Sequence, residues 1–191
     1  MRTCVAEEGN RKMDIFETIA ARRSIRKYKA EPIAEIQLGK ILEAARLAPS
    51  AGNKQPWRFV VVQDKNRKAH LAKAADDQSF LKNAAAIVVA AADPHISAKW
   101  HEKDTMIALE HIVLAATALG YGTCWIGAFD ADEVKSLLKI PERMTIIALL
   151  PIGVPDEKPR PTLRKDFHEI FYKEEWQTPL VQKNHHPRLD K

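Results

Sequence analysis

Between residues 14 and 22 the apolar side chains Ile15, Phe16 and Ile19 fall on one face at helical spacing, and Asp14 precedes them where a carboxylate suits the positive end of a helix dipole. A second helix is predicted over 34–47, with Ile36, Leu38, Ile41, Leu42 and Ala45 as its stripe and Pro49 as its stop. The segment PSAGNKQP, residues 49–56, then reads as a loop with a proline at each end. RFVVVQ follows as a strand closed by Asp64-Lys65-Asn66, then a short helix over 65–75 and a buried strand, AAAIVVAA, over 84–91. Residues 104–119 carry apolar side chains nearly all round: Met106, Leu109, Ile112, Val113, Ala116 and Leu119 on one side, Ile107, Ala108, Leu114, Ala115 and Ala118 over much of the rest. A helix of that kind is covered on most sides, either as a central core helix or at a subunit interface. After Gly120 and Gly122, TCWIGAF predicts a short strand or extended turn, Asp130 or Asp132 caps a further helix to Leu138, and MTIIALLPIG forms a strand over 144–153.

This alternation of helices and strands predicts an α+β or α/β fold with a sheet flanked by helices. There is no internal repeat, and we take residues 13–172 as one domain. The polar residues 1–12 read as a flexible extension and 173–191 as a C-terminal arm or tail. The last forty residues are rich in proline and charge but keep Phe167, Phe171, Tyr172 and Trp176, which suits an arm laid on a protein surface.

Composition narrows the function classes. The 191 residues suffice for one sizeable core, and a net charge of +5 is compatible with nucleic acid or with phosphorylated small ligands. Two cysteines far apart, Cys4 and Cys124, imply a reducing compartment and no disulfide framework. No apolar run approaches the ~20 residues that span a bilayer, and the N-terminus lacks a signal-peptide centre, so a cytoplasmic protein is expected.

Chemistry concentrates in three places. ARRSIRKY, residues 21–28, gathers Arg22, Arg23, Arg26 and Lys27 around Ser24. Most charge runs are solvated faces, but guanidinium groups beside a hydroxyl at a chain turn also match a phosphate. The loop Pro49-Ser50-Ala51-Gly52-Asn53-Lys54-Gln55-Pro56 offers amide donors and acceptors next to Trp57, either as an ordinary connection or as a reader of a flat polar heterocycle. Gly122 to Gly127 reads first as core packing, with Cys124 a small apolar filler. Glu110-His111 has the composition of an acid–base pair, yet a satisfied buried pair is the plainer reading. The seven histidines are scattered, so no metal is assigned, and no GxGxxG or P-loop occurs. Without an aromatic-interleaved basic groove, nucleic acid gains little support.

In their order along the chain, Arg-Arg-Ser-Ile-Arg, Pro-Ser-Ala-Gly-Asn-Lys-Gln-Pro-Trp, Leu-Gly-Tyr-Gly-Thr-Cys-Trp-Ile-Gly and Leu-Pro-Ile-Gly with a later Leu-Arg-Lys resemble the nitroreductase family of FMN-dependent oxidoreductases, over about residues 13–176. The resemblance implies an α+β fold with a central, mostly antiparallel sheet flanked by helices, and an intertwined homodimer with FMN at the interface. It implies that Arg22, Ser24 and Arg26 hold the phosphate and ribityl chain, with Arg23 beside the pyrimidine edge of the ring. Pro49, Ser50, Ala51, Asn53 and Gln55 of the other subunit would flank the flavin. Trp125, Ile126 and Gly127 would lie along the isoalloxazine, and Arg164, assisted by Lys165, would complete the phosphate clamp. Where many relatives carry Gln-Asn in the core helix, this chain has Glu110-His111.

The implied reaction takes hydride from NADH or NADPH and delivers it to a small-molecule oxidant such as a nitroaromatic or quinone, with no catalytic side chain required because the cofactor carries the chemistry. Other expectations keep the FMN but change the reaction to dehalogenation, flavin reduction or ene reduction, or make the protein a non-catalytic flavin binder. No membrane and no nucleic-acid partner is expected.

Overall fold

A computed structural model of the chain describes residues 13–180. The N-terminal extension with Cys4, and the tail from 181 with His185 and His186, lie outside the described residues. The chain divides into two compact units at Lys158 and Pro159.

In the first unit, helix α1 (Ile15–Ala21) starts at Asp14, whose side chain accepts from Glu17 N–H while Glu17 reaches back to the Asp14 N–H, a reciprocal cap. Helix α2 (Glu35–Arg46) and a single 3₁₀ turn, Ala51–Asn53, precede strand β1 (Trp57–Val62). Helix α3 (Lys65–Ala74), strand β2 (Ala86–Ala92), helix α4 (His101–Ala118), strand β3 (Gly122–Thr123), helix α5 (Ala131–Leu138) and strand β4 (Thr145–Gly153) follow. Asp130, rather than Asp132, caps α5, accepting from the N–H groups of Asp132 and Glu133 at 2.9 Å. Helix α4 begins one turn earlier than its apolar stripe predicts. The polar residues His101–Lys103 are helical because Ser97 O and Trp100 O accept the first N–H groups.

The four strands form an antiparallel sheet in the order β1-β2-β4-β3, as the α+β expectation requires. Strand β2 is buried along its whole length because both faces are covered. Val88 and Ala90 face α2 and α4 together with Ala148, Leu150 and Ile152. Ile87, Val89 and Ala91 face α3 and α5 with Leu71, Val134, Ile146 and Leu149. The period-two alternation of side chains sorts one apolar strand into two cores.

The apolar face of α1 does not enter either core. Ile15, Phe16 and Ile19 are 55%, 62% and 47% exposed. On α4, Met106 and Ile107 are also exposed, whereas Leu109, Ile112, Val113 and Ala116 are fully buried. Only one side of this helix is therefore covered within the chain.

The second unit carries helix α6 (Phe167–Ile170), capped reciprocally by Asp166 and Glu169. The Phe167 and Phe171 rings lie 4.4 Å apart and those of Tyr172 and Trp176 4.8 Å apart. Among the described residues, no helix is long and apolar enough to cross a membrane.

Candidate functional site

The cationic segment is an extended run stitched to the end of the sheet. Helix α1 stops at Arg22, whose N–H donates to Thr18 O at 3.0 Å. Ser24 then pairs with Thr123 of β3 in a parallel bridge, and Ile25 N–H donates to Thr123 O at 2.8 Å. Further on, Lys29 N–H donates to Val154 O and Asp156 N–H to Lys27 O.

Two glycines let this segment lie so close. A Cβ on Gly122 would stand 2.6 Å from Ile25 Cγ1, and one on Gly153 would stand 2.8 Å from Tyr28 Cδ1. Gly122 and Gly153 face each other across β3 and β4, so together they make one bare patch for Ile25 and Tyr28. Tyr28 is buried there, its hydroxyl donating to Ile25 O at 2.7 Å, and burial pushes its phenol far above the ordinary range.

Ile25 and Tyr28 therefore anchor the segment, and the residues around them carry its charge. Arg22, Arg23 and Ser24 are half-buried and Arg26 is exposed. Arg23 Nη1 is drawn to the carbonyls of Ala20 and Arg22, 2.6 and 2.7 Å away. Cys124, 2% exposed, lies beneath the group: burial raises its thiol, against the pull of Arg26, a hydrogen bond from Ser24, and Arg22. Burial is therefore the largest influence on this thiol, and Arg26, Ser24 and Arg22 oppose it. Cys124 belongs to the core, as its composition suggests, but to the part directly under the cations.

Trp125, Ile126 and Gly127 continue from Cys124. Ile126 exchanges both main-chain hydrogen bonds with Leu149, at 3.0 and 3.1 Å, so its N–H is committed to the sheet. Trp125 is half-buried and Gly127 exposed.

The amide loop sits elsewhere. Trp57 pairs with Ala92, and Ala92 with Thr145, so the loop emerges at the Thr145 end of β4. The cationic segment lies at the Ile152–Gly153 end. Seven residue steps from Thr145 to Ile152 are roughly 23 Å at about 3.3 Å per residue. Within one chain the two motifs flank opposite ends of the sheet.

The loop is held by a residue that sequence reasoning passed over. Asp104, 2% exposed on α4, turns both carboxylate oxygens to the N–H of Ala51 at 3.2 Å. Its position at the polar start of an apolar helix was the available signal. Ser50 Oγ accepts from Gln55 N–H at 3.0 Å, and Gln55 Nε2 donates to Asn53 O and Oδ1 at 3.1 Å. Gly52, Asn53 and Gln55 all have positive φ, at 60°, 54° and 48°. Pro49 is exposed.

His111 does not pair with Glu110. Its Nδ1 lies 3.0 Å from Ala44 O, joining α4 to α2. Arg164 lies in the second unit, where its guanidinium donates to Thr162 Oγ1, and Lys165 beside it is exposed.

The donor set suits a phosphorylated ligand. Among the described residues no carboxylate pairs with the guanidinium groups of Arg22, Arg23 or Arg26, although Glu43 pairs with Arg46 at 2.6 Å and Asp93 with Arg143 at 3.3 Å. Guanidinium groups without an ion-pair partner, beside a hydroxyl, match a dianion.

Comparison with known proteins gives a consistent result. A profile of the Nitroreductase family matches residues 19–93 and 75–154. A protein of Archaeoglobus fulgidus, provisionally named an NADH dehydrogenase/NAD(P)H nitroreductase, is 37% identical over 163 residues, covering 82% of this chain and 90% of its own. The structure of an FMN-dependent nitroreductase from Clostridium difficile superposes with a TM-score of 0.77 at 31% identity, covering 84% of this chain and 99% of its own. That of the NADPH:FMN oxidoreductase of Vibrio harveyi, complexed with NAD+, gives a TM-score of 0.79 at 29% identity, covering 85% and 77%. By the family profile across its length and the identity to these relatives, the chain belongs to the nitroreductase family.

Proposed function

We propose that this chain is an NAD(P)H-dependent FMN oxidoreductase of the cytoplasm that reduces a flat acceptor such as a nitroaromatic or a quinone. The observation that carries the reading is the segment of Arg22, Ser24 and Arg26 bridged to Thr123, the guanidinium groups paired with no carboxylate among the described residues, with Trp125–Gly127 following Thr123 by two residues. FMN, when bound, supplies the two-electron chemistry between nicotinamide and acceptor.

The protein's part is to bind and orient. Arg22, Ser24 and Arg26 hold the phosphate. Trp125 and Gly127 line the ring, since the Ile126 N–H already serves Leu149. Positive charge near the ring favours its reduced, anionic form.

A second copy completes this site. The loop Pro49–Gln55 lies at the far end of its own sheet, so its role as a flavin flank belongs to a site made with a partner chain. The exposed apolar side chains Ile15, Phe16 and Ile19 on α1 and Met106 and Ile107 on α4 are the surface such a partner covers. α1 and α4 pack on each other, which makes this surface continuous.

The purified protein is expected to be yellow, to lose its flavin absorbance when NADH or NADPH is added without oxygen, and to sediment as a dimer. Arg22→Ala combined with Arg26→Ala should weaken FMN binding at least about tenfold, as expected for loss of charge-assisted phosphate contacts. A protein that stays colourless with added FMN sinks the reading. Ile107→Glu should give monomers with little bound flavin, and full flavin retention by such monomers would remove the partner from the site.

A further inference from the structure

The main chain at Arg26 and Lys27 is held by a residue 131 and 130 positions away. The N–H groups of Arg26 and Lys27 both donate to Oε1 of Glu157, the second at 3.0 Å. The neighbouring residues reinforce the contact. Tyr28 pairs with Pro155, Asp156 N–H donates to Lys27 O at 2.8 Å, and Lys27 Nζ lies 3.5 Å from Asp156 Oδ2. Glu157 is half-buried, and its charge is felt at both Tyr28 and Cys124, the two buried groups that anchor the segment.

This is an unusual choice of partner. In a segment that carries three arginines, this carboxylate takes two consecutive main-chain N–H groups. Binding both fixes the main chain of Arg26 and Lys27 while leaving the guanidinium groups without an ion-paired carboxylate. The same carboxylate also puts a negative charge close to where a phosphate would bind. Glu157 therefore has two opposed effects, one of geometry and one of charge.

We infer that Glu157 is a positioning residue that holds the main chain of Arg26 and Lys27 so that Arg22, Ser24 and Arg26 face one phosphate, and that its charge makes that phosphate bind less tightly than the same cradle otherwise would. The inference rests on the proposed FMN site and assigns a role there to a residue outside the cationic motif.

The two effects separate in a pair of substitutions. Glu157→Gln keeps an oxygen acceptor and removes the charge, whereas Glu157→Ala removes both. FMN and riboflavin, which differ only in the phosphate, are titrated by fluorescence quenching against the full chain freed of flavin. Glu157→Ala should weaken FMN about tenfold, as expected for loss of contacts to a charged group, and leave riboflavin within about twofold. Glu157→Gln should bind FMN as tightly as the natural protein or a few-fold tighter, about the size of a screened charge–charge term. Equal losses for FMN and riboflavin in the alanine variant, or a glutamine variant as weak as alanine, would overturn the inference. Arg22→Ala is the control for the site itself. If it fails to reduce the FMN-to-riboflavin preference, the phosphate assignment falls and the role of Glu157 with it. If it does reduce the preference while both Glu157 variants match the natural protein, only the inference falls.

Discussion

The cationic segment and the amide loop are both short connections out of a helix, but they are secured differently. Residues 22–29 run beside the sheet, bridged to Thr123, bonded to Val154 and pressed by Ile25 and Tyr28 onto a pair of facing glycines. Residues 49–56 meet the sheet only at their end, where Arg58 Nη1 donates to Gln55 O at 3.2 Å and Asp93 N–H donates to Pro56 O at 2.9 Å. They turn through three positive-φ residues and are tied to the rest of the chain chiefly by one buried carboxylate, Asp104. The first behaves as an extra edge of the sheet, with many small contacts that share the work. The second depends on one buried carboxylate at its start, a few hydrogen bonds at its end and its own side-chain amides. A phosphate site needs fixed charges and gains from the first design; a surface that must also meet another chain tolerates the second.

Substitutions can break each device in turn. The largest effect is expected at the glycine pair. Gly122→Ala places a methyl group against Ile25, and Gly153→Ala places one against the Tyr28 ring, with Ala85 N only 3.2 Å away. Each should cost about 2–3 kcal/mol in chemical denaturation, the range for overpacking a closed site, and should lower FMN affinity as well. A neutral result at both positions would show that the segment is less tightly docked than its contacts imply.

Next comes Asp104→Ala, which leaves the N–H of Ala51 without its carboxylate. We expect about 1–2 kcal/mol of lost stability, with Asp104→Asn recovering most of it because an amide oxygen still accepts. If asparagine is as damaging as alanine, charge rather than the hydrogen bond secures the loop.

A smaller effect of opposite sign is expected at Gln55. Gln55→Gly removes the penalty of a side chain at φ 48° but adds backbone entropy in the unfolded chain and loses the bonds to Asn53. The net should be a gain of at most about 1 kcal/mol, read as a rise in Tm. The equivalent relief is not available in the cationic segment, which has no positive-φ residue.

The smallest signal concerns Cys124. Burial holds its thiol above the ordinary range, so at neutral pH it stays protonated in the folded chain. In a Cys4→Ser background, iodoacetamide should leave the native protein unmodified and label it once denatured. The sign of the linkage is also fixed. An acid whose folded pKa is raised loses stability as pH climbs through the unfolded thiol value, because only the unfolded chain then ionises. Rapid labelling of the native protein would mean that the cationic segment opens readily.

Much of this architecture follows from local pattern. The stripe of α2, the continuous apolar run of β2 and the caps at Asp14 and Asp130 each state their element through neighbouring residues alone, since helix and strand periods are short-range properties. The ordered motifs around Arg22, Asn53 and Trp125 carried the family for the same reason: each is one contiguous stretch. Tertiary structure decided what adjacency cannot encode. It made Gly122 and Gly153, thirty-one positions apart, one bare patch beneath Ile25 and Tyr28. It brought Glu157 to the main chain of Arg26 and Asp104 to that of Ala51. It also turned Ile15, Phe16 and Ile19, apolar enough for a core, out to solvent, because the cores on both faces of the sheet were already filled by α2, α4, α3 and α5. Periodicity reports which side of a helix is apolar; only the packed chain settles whether that side is covered from within.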